Sequence, residues 1–435
     1  MIAPLEYAER RQRLMDRFAD SNALLVFHGN KQVQRNVDTP YEFRQDSTLR
    51  YLTGIDLPGI SVVLIPSENK YLLFAVPSNL KKEVWTGKKP SLQELKELYA
   101  ADEIYPARKI AAVLGNYKSR LPLTLPGKER TGFTYPSKSL AQAIAYMRLV
   151  KSPAEVTEIE SALELTAKIY DRLMRAAKAG VNERELQAII EYFHRINGAT
   201  YAFPPIVTTN GAVLHSENNQ NILQDGKLLL VDIGAELNGS NSDITRTFPV
   251  TGRFTPEQRE LYEIVLRAKR EAIALIKPGV PYKEIHLRAA KVIAEGLLEF
   301  GVLKGSLDDV IKNEAHRIFF PHGVGHNLGQ DTHDADDLFP ITEQRKMALQ
   351  PGNVYTIEPG IYFIEVLLDD PTKIAKHGAF VDFDKARALI KSVSGIRIED
   401  DVLVTEDGHR ILGPHIPEEV EELEAIVGKG SNSLV

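Results

Sequence analysis

The chain has 435 residues, of which 43% are hydrophobic and 26% charged, as in a soluble globular protein with more than one domain. Its 53 basic and 59 acidic side chains give a net charge of −6, which argues against a nucleic-acid-binding protein. The absence of cysteine excludes disulfides, thiolate metal sites and a cysteine nucleophile. No apolar run approaches about 20 residues and the first residues lack a secretory signal, so we expect a cytoplasmic protein with no membrane partner.

The first third of the sequence predicts an α/β domain, residues 1–146. Short apolar runs rich in β-branched and aromatic residues predict strands at 23–27, 60–65 and 71–76. A helical pattern at 91–100 follows them. Strands alternating with helices favour a mixed sheet that is largely buried.

The remaining residues, 147–435, predict a second domain that begins with a long helix. Residues 152–155 combine an N-cap hydroxyl, a proline in the first turn and a carboxylate that completes a capping box. We expect the helix to run to about residue 179. The same device at 255–258 precedes another long helix, which should end at the Pro-Gly pair at 278–279.

A faint internal repeat suggests that this second domain is duplicated. Gly180-Val181 and Glu185-Leu186 recur about 100 residues later as Gly279-Val280 and Glu284-Ile285. In both copies a long predicted helix precedes the repeated segment, and another helix and then strands follow it. We therefore expect two α-β halves related by a pseudo-two-fold axis.

Residues 227–250 read as two strands around Asn238-Gly239, a strong hairpin signal. In that register Asp232 faces Thr245, and Asp243 lies on the same face, about 7–8 Å away by Cα. Two carboxylates so close among apolar residues repel each other, so either one is protonated or a multivalent cation lies between them. The alternative is a solvated hairpin at a sheet edge.

Residues 321–334 hold three of the chain's 11 histidines, His322, His326 and His333. Glycine and proline make this segment a turn-rich connection, so the histidines do not form a helical HExxH motif. A single histidine here would be an ordinary core residue. The cluster instead favours metal-ligand and proton-transfer roles.

Two further carboxylates lie in predicted strands, Glu358 in 354–360 and Glu399 in 395–405. Arg397 is predicted to share a strand face with Glu399 and could form an ordinary buried ion pair with it. Together the four carboxylates and one imidazole form a hard ligand set, suited to one or two ions of Mn²⁺, Co²⁺, Fe²⁺ or Zn²⁺. A dinuclear site of this kind can activate water for hydrolysis.

The segments LHSENN, LLLVDIGA, NSDITRTFPV, PHGVGHNLGQDTHD, TIEPGIYFIEVLLDD and GIRIEDDVLVTEDG together resemble the creatinase, methionine aminopeptidase and prolidase family of pita-bread metallopeptidases. Residues 43–54, FRQDSTLRYLTG, are similar to the N-terminal domain of aminopeptidase P and prolidase. The resemblance implies an α/β, creatinase-like N-terminal domain followed by an α+β pita-bread catalytic domain made of duplicated α-β halves.

The resemblance also implies two divalent metal ions, manganese most often, with cobalt, zinc or iron as alternatives. Asp232 would hold one ion, and His326 and Glu358 the other. Asp243 and Glu399 would bridge both ions, and Glu358 would also take a proton from the bridging water.

Further roles carried over from the family fall on three histidines and one arginine. His215 and His333 would hold the substrate carbonyl and stabilise the tetrahedral intermediate, although an exposed loop histidine is the alternative for His215. Arg397 would orient the ligands, and His322 would be an additional active-site histidine. Family members of this layout are dimers or tetramers, so we expect a homodimer, with a tetramer as the alternative.

The implied activity is hydrolysis of the Xaa-Pro bond in a dipeptide or short peptide by a water that the two metals activate. That bond lacks the N–H used by ordinary peptidases, and proline fixes φ. The insertion at 365–394 and the segment 84–91 favour an Xaa-Pro dipeptidase (prolidase), with Xaa-Pro aminopeptidase (aminopeptidase P) as the alternative. Arg345, which could hold a dipeptide carboxylate, is one residue out of register.

Two other functions are disfavoured by the complete set of five metal ligands. One is a non-catalytic pita-bread binding protein, since such relatives usually lose ligands. The other is a creatinase-like amidinohydrolase, which uses no metal.

Overall fold

The computed structural model describes residues 2–129, 133–216 and 218–430 and divides into two compact units. One unit comprises Met1–Arg148 and Ala335–Phe339, and the other comprises Leu149–Asp334 and Pro340–Val435. The sequence did not indicate that a short segment after Asp334 packs with the first unit. We retain 1–146 and 147–435 as the proposed domains.

In the first unit the strands are β1 (Ala23–His28), β2 (Gln34–Asn36), β3 (Thr39–Pro40), β4 (Ser61–Ile65), β5 (Lys70–Ala75), β6 (Glu103–Pro106), β7 (Leu121–Thr124) and β8 (Tyr135–Pro136). The helices are α1 (Pro4–Asp16), α2 (Ser47–Thr53), α3 (Leu80–Thr86), α4 (Leu92–Leu98), α5 (Ile110–Gly115) and α6 (Lys138–Leu149). Short 3₁₀ helices lie at Pro66–Glu68 and Ala107–Lys109.

The main sheet of this unit is mixed, as predicted, with the strand order β6-β5-β4-β1-β7-β8. β4 is antiparallel to β1 and β5, whereas the other neighbouring pairs are parallel. Along β1, Leu25 and Phe27 pack into one apolar cluster and Leu24 and Val26 into another. The alternation of side chains along a strand sends them to opposite faces, so both faces of the sheet are covered.

In the second unit the strands are β9 (Thr200–Tyr201), β10 (Ile206–Thr208), β11 (Leu228–Ile233), β12 (Ala235–Leu237), β13 (Ser240–Asn241), β14 (Ile244–Pro249), β15 (Val354–Ile357), β16 (Gly360–Tyr362), β17 (Gly395–Arg397), β18 (Asp400–Val404) and β19 (His409–Ile411). The helices are α7 (Pro153–Ala176), α8 (Glu183–Ile196), α9 (Pro256–Ala274), α10 (Tyr282–Phe300), α11 (Leu307–Lys312), α12 (Ile341–Gln344), α13 (Glu365–Leu368), α14 (Pro371–His377), α15 (Phe383–Leu389) and α16 (Val420–Ile426). A 3₁₀ helix spans Ala315–Ile318.

Both predicted capping boxes are present in this unit. The Ser152 hydroxyl accepts a hydrogen bond from the N–H of Glu155, whose carboxylate accepts the N–H of Ser152 in return. Thr255 and Gln258 make the same pair of bonds at the start of α9. Each box satisfies N–H groups that the first helical turn leaves without a partner, which fixes where these helices begin.

The predicted duplication is visible in the turns that precede α8 and α10. The N–H of Gly180 donates to the carbonyl of Leu223 (2.9 Å), and the N–H of Leu223 donates to the carbonyl of Val181 (2.8 Å). Gly279 and Leu349 repeat both bonds, each at 2.9 Å. Each glycine has a positive φ, and each turn leads directly into a helix. The two halves therefore use the same local structure.

Within the part of the chain that the structure describes, no helix combines the length and the apolar composition needed to cross a bilayer.

Candidate metal centre

The hairpin that carries two of the predicted ligands has the predicted register. Asp232 lies opposite Thr245, and the loop residues Asn238 and Gly239 have φ of 53° and 79°. Two consecutive left-handed residues are typical of the type I′ loop, whose twist matches that of the flanking strands. Asp243 lies between β13 and β14, two residues before Thr245, and both carboxylates are buried.

The other predicted ligands lie where the chain leaves regular structure. Glu358 lies between β15 and β16, Glu399 lies between β17 and β18, and His326 lies in the irregular, turn-rich segment predicted for it. The prediction of one continuous strand over 395–405 is wrong, because β17 ends at Arg397. Side-chain alternation does not continue across this break, so Arg397 and Glu399 are not held on one strand face.

These side chains converge on one point. Nε2 of His326 is 3.4 Å from Oδ2 of Asp243 and 3.7 Å from Oε1 of Glu358. One ligand atom each from Asp243, His326 and Glu399 lie within 4.8 Å of one another. Three segments distant in sequence thus meet in a buried cluster whose groups could hold a metal ion.

The electrostatics of the cluster fit a bound cation. Burial raises the pKa of the Asp243 carboxyl well above its ordinary value, and the nearby charge of Asp232 raises it further. The pKa of Glu399 is also raised, first by burial and then by Asp243. Oδ1 of Asp232 is buried and accepts no hydrogen bond from the described residues. A divalent ion offsets such repulsion and prefers oxygen ligands of this kind.

Arg397 lies behind the cluster and pairs with Asp232 rather than with Glu399. Its Nη2 is 2.5 Å from Oδ2 of Asp232, and its Nε donates to the hydroxyl of Thr245 (3.1 Å). That hydroxyl donates in turn to Oε2 of Glu399 (2.6 Å). The alternative of a direct ion pair between Arg397 and Glu399 is therefore wrong, and Thr245 connects the two residues. Thr245 was missed as a site residue, although the predicted register placed it opposite Asp232.

Tyr362, also missed from the sequence, connects Arg397 to His322. Nη1 of Arg397 donates to the Tyr362 hydroxyl (3.1 Å), which is 2.8 Å from Nε2 of His322. Nδ1 of His322 is 2.7 Å from the carbonyl oxygen of Gly323, which can only accept, so Nδ1 carries the hydrogen. Burial lowers the pKa of His322, while Glu358 opposes this shift. The neutral ring can then accept the Tyr362 hydroxyl at Nε2.

The two remaining predicted histidines occupy different environments. His333 stacks on His326, with ring centroids 3.9 Å apart and planes 11° apart. His215 is exposed, and a charge on its ring is one of the lesser causes that lower the pKa of His322. The structure thus brings His322, His326 and His333 to the carboxylates and leaves His215 at the exposed margin.

Comparison with known proteins assigns a family to both parts of the chain. The model for Metallopeptidase family M24 matches residues 157–406, and that for the Aminopeptidase P, N-terminal domain matches residues 7–123. A probable Xaa-Pro aminopeptidase of Botryotinia fuckeliana (strain B05.10) is 38% identical over 430 residues, which are 94% of this chain and 93% of that protein. The Xaa-Pro aminopeptidase of Escherichia coli (strain K12) is 33% identical over 98% of each chain.

Solved structures agree over the same length. The aminopeptidase PepP of Pseudomonas aeruginosa has a TM-score of 0.85 to this chain, at 34% identity and 98% coverage of both chains. Zinc-substituted aminopeptidase P of E. coli, in complex with product, has a TM-score of 0.84 at 30% identity and the same coverage. The chain therefore belongs to metallopeptidase family M24, with a pita-bread catalytic domain preceded by an aminopeptidase P N-terminal domain.

Proposed function

We propose that this protein is an Xaa-Pro aminopeptidase, which releases the N-terminal residue from peptides whose second residue is proline. The convergence of Asp232, Asp243, His326, Glu358 and Glu399 supports a metal-dependent hydrolase. The substrate class is supported by the relatives, which are named Xaa-Pro aminopeptidases and whose length this chain matches almost completely.

This proposal replaces the expected Xaa-Pro dipeptidase. The dipeptidase interpretation depended on the insertion at 365–394 and on residues 84–91. The insertion contains the short helices α13, α14 and α15. Since relatives that match nearly the whole chain are named aminopeptidases, neither feature selects the dipeptidase.

We propose that the five ligands hold two divalent ions, with manganese preferred and cobalt, zinc or iron as alternatives. Bound there, such ions supply a water activated for attack and charge that stabilises the oxyanion formed at the scissile carbonyl. Asp232 would hold one ion, His326 and Glu358 would hold the other, and Asp243 and Glu399 would be shared between them.

The remaining roles fall to side chains that hold or move protons near the scissile bond. We propose that Glu358 accepts a proton from the attacking water, since its carboxylate is only partly buried. The neutral His322, held by Tyr362, presents a fixed ring beside Glu358. His215 and His333 would contact the substrate carbonyl and stabilise the tetrahedral intermediate.

Hydrolysis of Ala-Pro-Ala and Ala-Pro by the Mn²⁺-loaded protein tests this function. We expect cleavage of the tripeptide after its first residue, because an aminopeptidase does not need a free carboxylate next to proline. We expect the dipeptide to be cleaved much more slowly. Ala-Ala and Ala-Ala-Ala serve as matched controls without proline. Cleavage of Ala-Pro alone would restore the dipeptidase, and no cleavage with metal bound would favour a binding protein.

The raised pKa values of Asp243 and Glu399 predict how pH affects the metal-free protein. Since its folded state binds protons more tightly than the unfolded chain, the free energy of unfolding falls as the pH rises above about 4. Mn²⁺ binds the deprotonated carboxylates and offsets their repulsion. The Tm difference between Mn²⁺-loaded and chelator-treated protein should therefore grow from about pH 5 to about pH 8. Scanning calorimetry measures it, and a constant difference would contradict the proposed ligand set.

A further inference from the structure

The segment 209–221, between β10 and β11, carries the exposed His215. An exposed side chain on a connection of this length is not fixed by packing alone, so the backbone on both sides must be held if its ring is to reach a substrate. The residues that hold this segment therefore affect the role proposed above for His215.

Both ends of the segment are held by one carboxylate, that of Glu183 in the first turn of α8. Its Oε1 accepts hydrogen bonds from the N–H (2.7 Å) and the hydroxyl (3.1 Å) of Thr209. Its Oε2 accepts from the N–H (3.0 Å) and the side-chain amide (2.9 Å) of Asn221. The N–H of Glu183 also donates to the carbonyl of Asn221 (3.0 Å). Glu183 is 0% exposed, so its carboxylate bonds the two ends of the segment and not solvent.

The turn that contains Glu183 does not itself require a carboxylate. In the second half of the pita-bread domain the corresponding residue is Tyr282, the first residue of α10. Its ring stacks on Tyr355, with centroids 4.8 Å apart, and the preceding turn makes the same backbone bonds through Gly279 and Leu349. Burying an ionised group is costly unless hydrogen bonds satisfy it. Glu183 therefore closes the segment 209–221, in the sense that it joins the two ends, and the repeated turn does not depend on its carboxylate.

The same segment also lies against the strand that leads to Arg397. A side chain on Gly211 would place its Cβ 2.6 Å from the carbonyl oxygen of Gly395, the first residue of β17. The N–H of Ala212 donates to the hydroxyl of Ser394 (3.1 Å). Glu183 thus holds the segment at Thr209 and Asn221, and contacts with residues 394–395 hold it at Gly211 and Ala212, three residues before His215.

We propose that Glu183 is a positioning residue, which acts on the reaction by closing the segment 209–221 and so holding His215 towards the substrate. This inference rests on the proposed function for the role of His215, but the closure itself does not depend on it.

Glu183→Gln keeps the size of the side chain but replaces one acceptor oxygen with an amide that faces N–H donors. We expect kcat for Ala-Pro-Ala to fall by about tenfold, with KM and the Mn²⁺ stoichiometry little changed, because Glu183 contacts none of the proposed ligands. Glu183→Asp, which keeps the charge on a shorter side chain, should recover part of the loss. A normal kcat in Glu183→Gln would overturn the proposal.

A double-mutant cycle with His215→Ala separates positioning from general damage. If Glu183 acts through His215, the double variant should be no slower than His215→Ala alone, whereas independent losses would multiply and overturn the proposal. Glu185→Gln is the matched control on the same helix. Among the described residues, the Glu185 side chain accepts only the N–H of Asn182 in the capping box (2.9 Å), so this variant should retain full activity.

Amide hydrogen exchange of the Mn²⁺-loaded protein tests the closure without relying on activity. Glu183→Gln should speed exchange within 209–221 and leave α9 and α10 unchanged, and equal exchange in both proteins would overturn the proposal. If Glu183→Gln does not fold, Thr209→Val removes a single bond to the carboxylate and should shift exchange and kcat in the same direction, less strongly. Faster exchange with His215→Ala fully active would leave the closure in place and reject the catalytic role of His215.

Discussion

Asp243→Ala should abolish stoichiometric Mn²⁺ binding and lower kcat/KM for an Xaa-Pro peptide by about a thousandfold or more. Asp243 approaches His326 and Glu399 within a single small cluster, and we propose that it contacts both ions. Charge stabilisation by such ions is worth several kcal/mol at the transition state, which corresponds to this factor. Isothermal titration with Mn²⁺ and steady-state hydrolysis of Ala-Pro-Ala measure the two effects.

The stability of the metal-free Asp243→Ala protein distinguishes lost ligation from misfolding. The N–H of Asp243 donates to Oδ2 of Asp401 (3.0 Å), and an alanine keeps that bond. Because the raised pKa of Asp243 reflects burial and repulsion, its removal should not lower the Tm of the chelator-treated protein. Asp225→Ala, at an exposed aspartate before β11, is the matched control and should behave as wild type. Full Mn²⁺ occupancy with normal activity in Asp243→Ala would contradict the proposed centre.

Local sequence signals were sufficient to predict the hairpin that carries Asp232 and Asp243. The Asn238-Gly239 pair specifies a type I′ loop, and a two-residue loop fixes which residues face each other. The capping boxes at Ser152 and Thr255 could be predicted for a similar reason, since each depends on residues only three positions apart. Such features are decided within a few residues, so the rest of the fold does not alter them.

Features that depend on how distant segments meet could not be predicted in this way. The prediction extended strand alternation from Arg397 to Glu399, but β17 ends at Arg397. Glu399 instead lies against β14, where its N–H donates to the carbonyl of Thr245 (3.0 Å). Nothing in the local sequence distinguishes Glu183 from other acidic residues in the first turn of a helix, since its partners Thr209 and Asn221 lie 26 and 38 residues away. No local pattern indicates such pairings.

The arrangement of the cluster also explains why the two residues that were missed from the sequence, Thr245 and Tyr362, carry hydroxyl groups. Thr245 and Tyr362 each accept from Arg397, and each then has one hydrogen to donate, to Glu399 and to His322 respectively. A hydroxyl can accept and donate at once, so it transmits the orientation of one charged group to the next without adding charge. One guanidinium thereby fixes two carboxylates and a histidine.

Arg397→Met should therefore be the second most damaging substitution, with effects on both stability and turnover. It removes the counter-charge of buried Asp232 and leaves Thr245 and Tyr362 without a common donor. Removing one partner of a buried pair costs about 3–5 kcal/mol, and we expect this loss in the free energy of unfolding of the metal-free protein. Bound Mn²⁺ should recover part of it, since a cation beside Asp232 supplies charge that the arginine no longer does.

Arg397→Lys separates the charge of this residue from its geometry. A lysine keeps the positive charge, but its single ammonium cannot reach Asp232, Thr245 and Tyr362 together as the planar guanidinium does. We expect near-normal stability in urea unfolding but activity reduced by about 10- to 100-fold, because the carboxylates and His322 lose their common orientation. Arg259→Lys, at an exposed arginine of α9, is the control and should change neither. Full activity in Arg397→Lys would mean that Arg397 contributes charge alone and that the hydroxyl connections to Glu399 and His322 do not matter for turnover.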